Sequence, residues 1–260
     1  MDVSILTVTS NSVEHIAEQI ASVIEAGRDL VVGQLIVDNA SDDETVTIVH
    51  QKYPNLSVTV FNEDRGFGAA NNVLAPQASG RYFLLLNPDM KMAPGSLLPL
   101  IAFFDSHPKA GIVSCKLVDK DGNFNTKTAP RRFPTIFDQF VILFKLSHLF
   151  PSLLNKYLWK DFDPEKEQMV DAVQGSFMLV RRELYEKLGR LFDPRFFIWF
   201  EDVDLCREAK TCGYEVWYTP IVSCVDYAGQ SFKRRPFLWK QKNFLISMFK
   251  YFQKWGLWRN

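Results

Sequence analysis

Four short apolar runs, each closed by a polar cluster, occupy the first ninety residues and constrain the fold more than any other feature. Residues 3–8 end in Thr9-Ser10-Asn11, and Leu35-Ile36-Val37 stops at Asp38-Asn39-Ala40-Ser41-Asp42-Asp43. Residues 57–61 lead into a block at 62–68, and residues 82–86 end at Asn87-Pro88-Asp89. Runs of this length bounded by turn residues are strands. Between them, Ile16, Ile20, Val23 and Ile24 recur at helical spacing up to Gly27. A second helix runs to about Lys52 behind a cap at Ser41 or Asp42, and residues 66–78 read as a loop entering a third. Strands alternating with helices imply an α/β fold, a mostly parallel Rossmann-like sheet flanked by helices. In such sheets ligands collect outside the carboxyl ends of the strands. All four polar clusters sit there.

At 260 residues, 47% apolar and 23% charged, the chain has the composition of a folded protein with one large domain or two small ones. A formal net charge of zero gives no reason to expect a nucleic-acid partner. Cys115, Cys206, Cys212 and Cys224 lack Cys-x-x-Cys spacing and neighbouring histidines, so they read as reduced, partly buried thiols and not as a zinc site. The first six residues carry an acid and no cleavage signal, which fits a first strand better than a leader peptide. No apolar stretch reaches the roughly 18 residues of a spanning helix, so the expectation is a soluble or peripheral protein. Its expected location is cytoplasmic, on the inner face of the cell membrane.

Charge is unevenly distributed. From Lys233 onward come Lys233, Arg234, Arg235, Lys240, Lys242, Lys250, Lys254 and Arg259 with no acid. Phe237, Phe244, Met248, Phe252 and Trp255 mark one face of a helix there, so 233–260 is separated as an amphipathic tail from a domain at 1–232. Phe237, Trp239, Phe244, Phe249, Phe252, Trp255 and Trp258 could lie in an anionic membrane surface, or the helix could pack on the domain or a second subunit. The Phe- and Leu-rich stretch 136–159 could add a second apolar contact. The sequence does not decide the oligomeric state.

Several blocks could carry chemistry. Asn87-Pro88-Asp89 puts a carboxylate behind a rigid proline at a strand end, where it could hold a hard divalent cation or simply cap a helix. The short polar side chains from Asp38 and Asn39 to Ser41 could read a pyrimidine and ribose, or cap the next helix. Asn62, Gly66, Gly68, Asn71 and Asn72 form a small-residue block in which glycine lets backbone approach a ligand and a helix N-terminus favours phosphate. Glu201-Asp202-Val203-Asp204 follows the aromatic run Phe196-Phe197-Ile198-Trp199-Phe200. Mutual repulsion and an apolar wall raise carboxyl pKa values, which suits a general base. An acidic helix start is the plain alternative.

Together with Gly175-Ser176-Phe177-Met178-Leu179-Val180-Arg181, these blocks resemble glycosyltransferase family 2, the inverting enzymes of the GT-A fold, over roughly residues 3–232. Within it the likeness is to bacterial rhamnosyltransferases that extend polyprenyl-diphosphate-linked sugars in O-antigen and related polysaccharide synthesis. The resemblance implies a nucleotide-sugar donor, with dTDP-rhamnose the leading expectation and UDP-hexoses open, and a glycan or lipid-linked glycan acceptor. It implies donor contacts from Thr9, Asp38, Asn39, Asn62, Gly66, Asn72 and Asn87, and Mg²⁺ or Mn²⁺ held by Asp89. It further implies Asp202 as base, Glu201 and Asp204 positioning base or acceptor, and an acceptor pocket at Gly175, Ser176 and Trp199. Relatives often carry His-x-x-Gly-x-Ser where this chain has Asp226-Tyr227-Ala228-Gly229-Gln230-Ser231, so Asp226 takes the place of a metal-binding histidine. A non-catalytic, glycosyltransferase-like binding protein is the alternative. A nucleotidyltransferase would need a Gly-rich basic loop after the first strand, where Val8-Thr9-Ser10-Asn11-Ser12 stands instead.

Overall fold

A computed structural model describes residues 1–146, 150–227 and 236–257. The four apolar runs become β1 (Val3–Thr9), β2 (Val32–Asn39), β3 (Ser57–Phe61) and β4 (Tyr82–Leu86), parallel neighbours in the order β3-β2-β1-β4. Helices α1 (Ile16–Ala26), α2 (Thr45–Lys52) and α3 (Phe67–Leu74) lie between them in sequence. Every residue of β4 is buried, which explains why Tyr-Phe-Leu-Leu-Leu shows no alternation: both faces of this central strand are covered. Each such large apolar side chain contributes roughly 1.5–3 kcal/mol on burial.

Beyond β4 the sheet becomes mixed. The remaining elements are β5 (Met90–Met92), α4 (Leu97–Ser106), β6 (Ala110–Val118), α5 (Ile136–Leu143), β7 (Gln168–Met169), β8 (Phe177–Arg181), α6 (Arg182–Leu188), α7 (Glu201–Thr211), β9 (Glu215–Asp226) and α8 (Phe237–Trp255). The order continues from β4 through β8, β6 and β9 to β5, with β7 also on β9. β8 is antiparallel to β4 and β6, whereas β9 is parallel to β6. Residues 90–109 carried no expectation from sequence. β5 has three residues, too few for a period to show, and α4 buries Leu97, Leu100, Ile101, Phe103 and Phe104, too broad an apolar surface for an amphipathic signature.

The last helix packs on the domain. Phe244, Met248, Phe252 and Trp255 join Phe196, Phe200, Tyr251 and Ile136 in one apolar cluster, as their spacing predicts. Phe237 does not join them: it opens the helix and is 68% exposed. A charge cluster locks the other end. Lys254 Nζ donates to Asp193 Oδ2 at 3.0 Å, Asp204 Oδ2 at 2.8 Å and Glu208 Oε1 at 2.8 Å, while Trp255 Nε1 donates to Asp204 Oδ1 at 2.6 Å. Arg190 also donates to Glu208 at 2.6 Å. The three carboxylates lie close enough together to hold a cation, and the Lys254 ammonium already fills that role.

Candidate active site

A cavity of about 410 Å³ opens at the carboxyl ends of β1, β2 and β4. Ser10, Asn39, Asp64, Gly66, Asn87 and Pro88 line one part of it. Gly175, Ser176, Trp199, Glu201 and Asp202 line another, so blocks distant in sequence share one space.

Two contacts bring these blocks together. Phe67 N donates to Phe197 O at 3.1 Å, joining the small-residue loop to the aromatic run. Gly66 has φ +82°, and a Cβ there would lie 2.2 Å from Phe197 O, so only glycine allows this approach. Asp64 Oδ1 accepts from Gly66 N and from Asn39 Nδ2, tying the loop to the end of β2.

The aromatic run makes a turn that no local preference would select. Trp199 and Phe200 have φ of 62° and 66°, a region costing bulky residues about 1–3 kcal/mol each. Packing against α8 holds it: Phe200 lies 5.5 Å from the Phe244 ring and 5.3 Å from Tyr251, and Ser247 Oγ donates to Ile198 O at 2.7 Å. The turn ends where α7 begins, so its shape decides where Glu201 and Asp202 point.

The two carboxyls are not equivalent. Asp202 Oδ1 accepts from Val203 N at 2.8 Å and Oδ2 from Gly175 N at 3.2 Å. Burial raises its pKa, while those backbone N–H groups and the nearby Arg131 charge pull the other way. Glu201 Oε2 is buried with no hydrogen-bond partner among the described residues. Burial, reinforced by the Asp202 charge, pushes Glu201 well above the usual carboxyl range. Of the pair, Asp202 is the one prepared to ionise, and Glu201 keeps its proton to higher pH. A base with a raised pKa is lost as pH falls through a value above the ordinary aspartate, about 3.9. The pH profile of kcat/KM for sugar transfer should therefore show an acid limb above that value, with activity rising as pH increases. A limb at the ordinary value would assign the base to a solvated carboxyl elsewhere.

Asp204, grouped with these acids on sequence, takes a different place. It is fully buried, faces Lys254 and Trp255, and does not line the cavity. Burial raises its pKa to about 6 despite Lys254. On a helix, residues 202 and 204 project in different directions, so one serves the cavity and the other the interior.

On the donor side, Asn39, Gly66 and Asn87 line the cavity. Thr9 lies between two lining residues, Val8 and Ser10, and its buried Oγ1 has no partner among the described residues. Asp38 sits behind Asn39, its carboxylate accepting from Ser41 N at 2.9 Å and Ser41 Oγ at 2.5 Å. Asn62 and Asn72 stand apart. Asn62 is exposed outside the cavity, and Asn72 donates to Phe192 O at 2.7 Å while accepting from Leu191 N and Phe192 N. Asn72 is thus a clamp between α3 and residues 191–192; a half-buried amide with backbone groups in reach is satisfied there first.

Asp89 and Asp226 meet at the β5–β9 ladder. Asp226 pairs with Met90, Tyr227 N donates to Asp89 O at 3.0 Å, and both carboxyl residues are 6% exposed. Asn125 Nδ2 approaches Asp226 Oδ2 at 3.5 Å. Two buried hard-oxygen donors beside the Asn87-Pro88 wall fit Mg²⁺ or Mn²⁺ chemistry. Residues 228–231 of the adjoining block lie outside the described residues.

Arg131, Gln139 and Tyr157 also line the cavity, and none of them is marked as a site residue by the sequence. Trp239 and Phe244, expected in an amphipathic tail, line it as well. Gln139 was detectable in principle as a polar residue in an apolar helical run. Four buried atoms on lining residues have no partner among the described residues: Arg131 Nε, Gln139 Nε2, Ser176 Oγ and Glu201 Oε2. Donors and acceptors held ready beside aromatic side chains suit a ligand rich in hydroxyls.

Known proteins resemble this chain. N-acetylglucosaminyl-diphospho-decaprenol L-rhamnosyltransferase of Mycobacterium tuberculosis is 26% identical over 245 residues, covering 89% of this chain and 78% of that protein. Rhamnosyltransferase WbbL of Escherichia coli K12 is 28% identical over 220 residues, covering 81% and 80%. Among solved structures, the mannosyltransferase PcManGT of Pyrobaculum calidifontis, in complex with GDP-Man and Mn²⁺, superposes with a TM-score of 0.64 at 20% identity. That match covers 96% of this chain but 64% of the other, and it shows the GT-A fold. The family model for glycosyl transferase family 2 spans residues 4–189, from β1 to the end of α6, and so takes in the parallel half-sheet, the Asn87-Pro88-Asp89 turn and the Gly175-Ser176 wall; this chain belongs to that family.

Proposed function

We propose that the chain is an inverting, metal-assisted glycosyltransferase acting at the cytoplasmic face of a bacterial cell membrane. It moves a sugar, L-rhamnose from dTDP-rhamnose in the leading form, to a glycan acceptor carried on a polyprenyl diphosphate during cell-surface polysaccharide synthesis. One observation carries the reading: the residues suited to a nucleotide and the paired carboxyls suited to a base line the same cavity. The names of the two rhamnosyltransferase relatives support the sugar, and the mycobacterial name supports a lipid-diphosphate acceptor. Residues 1–232 form the catalytic domain in this proposal, and the 233–260 segment carries α8, which adds Trp239 and Phe244 to the cavity wall.

The chemistry is a single displacement at the anomeric carbon. The acceptor hydroxyl attacks as Asp202 takes its proton, and the bond to the nucleoside diphosphate breaks with its electron pair leaving on phosphate. Gly175 N and Val203 N hold the Asp202 carboxylate in place. Glu201, in its protonated form, adds no second negative charge beside the base. Mg²⁺ or Mn²⁺ held by Asp89 and Asp226 would neutralise charge on the diphosphate. Asn39, Gly66 and Asn87 orient the nucleotide, and Ser176 and Trp199 the acceptor sugar.

Thermal denaturation with dTDP, UDP or GDP, each with and without Mn²⁺, tests the reading. Metal-dependent stabilisation by dTDP is expected, about 2.7 kcal/mol at a hundredfold excess over Kd. Stabilisation by UDP alone redirects the donor to a UDP-hexose. No stabilisation by any nucleotide overturns the transferase reading in favour of a non-catalytic binding protein.

A further inference from the structure

Two helices beside the cavity carry apolar side chains on their solvent faces as well as on their packed faces. On α5 these are Phe137, Phe140 and Phe144, at the i, i+3, i+7 spacing of a single stripe, with Phe144 59% exposed just past the helix. On α8 they are Leu238, Leu245 and Phe249, spaced i, i+7, i+11, with Leu238 79% and Phe249 68% exposed. The sequence reading offered Phe244, Phe252 and Trp255 as membrane contacts, but these face the core, and Trp239 lines the cavity. Trp258 lies outside the described residues. Of the set expected from sequence, Phe249 and Phe237 do face outward, joined by Leu238 and Leu245, so α8 is apolar on two sides.

The stripes are neighbours of the site and of each other. Ile136 N, at the start of α5, donates to Leu257 O just past α8 at 3.0 Å. Gln139 on α5 and Trp239 and Phe244 on α8 all line the cavity. On the two helices themselves no acid is exposed, while the exposed Asp161 follows Lys160 on the segment beyond α5. Lys145, Lys156, Lys160 and Lys242 are exposed, α8 contains no acid, and the one acid of α5, Asp138, is buried in its own capping box with Thr135.

We infer that this face is the chain's docking surface for an anionic lipid bilayer, with α5 and α8 lying in the interface and the cavity beside it. A second copy of the chain is the competing occupant of an apolar face. A two-fold contact would set these lysines against their own copies with no acid on either helix to pair them, whereas anionic headgroups complement them. Aromatic and aliphatic side chains ringed by lysine are the composition of an interfacial helix. The inference rests in part on the proposed lipid-linked acceptor, because a bilayer at this face would bring such an acceptor to the cavity.

Flotation of the full chain with vesicles of phosphatidylcholine and phosphatidylglycerol, against phosphatidylcholine alone, tests this. The chain should float with the anionic vesicles and far less with the neutral ones. The Phe144→Asp/Phe249→Asp double variant should lose about tenfold or more of that binding. Both positions are exposed and outside the cavity, so its melting temperature and its stabilisation by nucleotide should match the parent. No flotation, or equal flotation of parent and double variant, overturns the inference. So does a parent that sediments as a dimer and a double variant that sediments as a monomer, which would assign the face to self-association. Flotation without nucleotide binding would sink the transferase reading alone, and nucleotide binding without flotation this inference alone.

Discussion

Asp202→Asn should lower turnover by about 10²–10⁴-fold while leaving nucleotide binding nearly unchanged. The amide keeps the shape of the carboxyl, and its oxygen can still accept one of the two backbone N–H groups that hold it, from Gly175 and Val203. What it loses is basicity. Donor contacts at Asn39, Gly66 and Asn87 lie on other elements and should not move. Steady-state transfer rates together with calorimetric nucleotide affinity check this. Turnover within about threefold of the parent would remove Asp202 from the role of base, since removing a general base costs far more. A parallel loss of nucleotide affinity would make it a donor-site residue instead.

Lys254→Met should destabilise the fold by about 3–5 kcal/mol, the cost of breaking a buried ion pair and leaving its partner charged. Lys254 is the shared donor to Asp193, Asp204 and Glu208, and Asp204 has no exposed surface through which water could replace it. In a chain of this size that corresponds to a melting temperature lower by roughly 10 °C. The pH dependence identifies the cause. A carboxyl whose folded pKa is raised contributes stability below its unfolded pKa and loses it as pH rises through the folded value. Asp204 is already raised to about 6 with Lys254 present, and removing the lysine raises it further. The deficit should therefore be smaller at pH 5 than at pH 8, as measured by thermal or urea denaturation. An equal deficit at both would mean that packing of the lysine stem, and not its charge, is what matters.

The same lysine connects stability to function. It anchors the end of α8, and α8 holds the left-handed Trp199-Phe200 turn and supplies Trp239 and Phe244 to the cavity wall. A helix that reads from sequence as an appended tail is thus part of the wall of the site. The bare pattern does not distinguish these roles. Phe244, Met248, Phe252 and Trp255 at helical spacing serve equally well against a protein core or a bilayer.

The sequence by itself determined the parallel half-sheet, because strand-length apolar runs ended by turn residues and separated by helical periods have few other ways to fold. β3 and β4 lie at the residues their pattern marks. It also determined that polar clusters would gather at one edge, since strands running in parallel end on the same side. Tertiary structure alone decided which of those polar residues share a space. Asn72 and Asp204 belong to the same blocks as Gly66 and Asp202, yet they turn to Phe192 and Lys254 and leave the cavity. Neighbours in sequence point in different directions on a helix, and the partner that claims each side chain arrives from a distant element. Arg131 entered the site for the same reason, carried there by a segment whose local pattern says nothing about a ligand. Periodicity is a property of one segment, but a site is made where several segments meet.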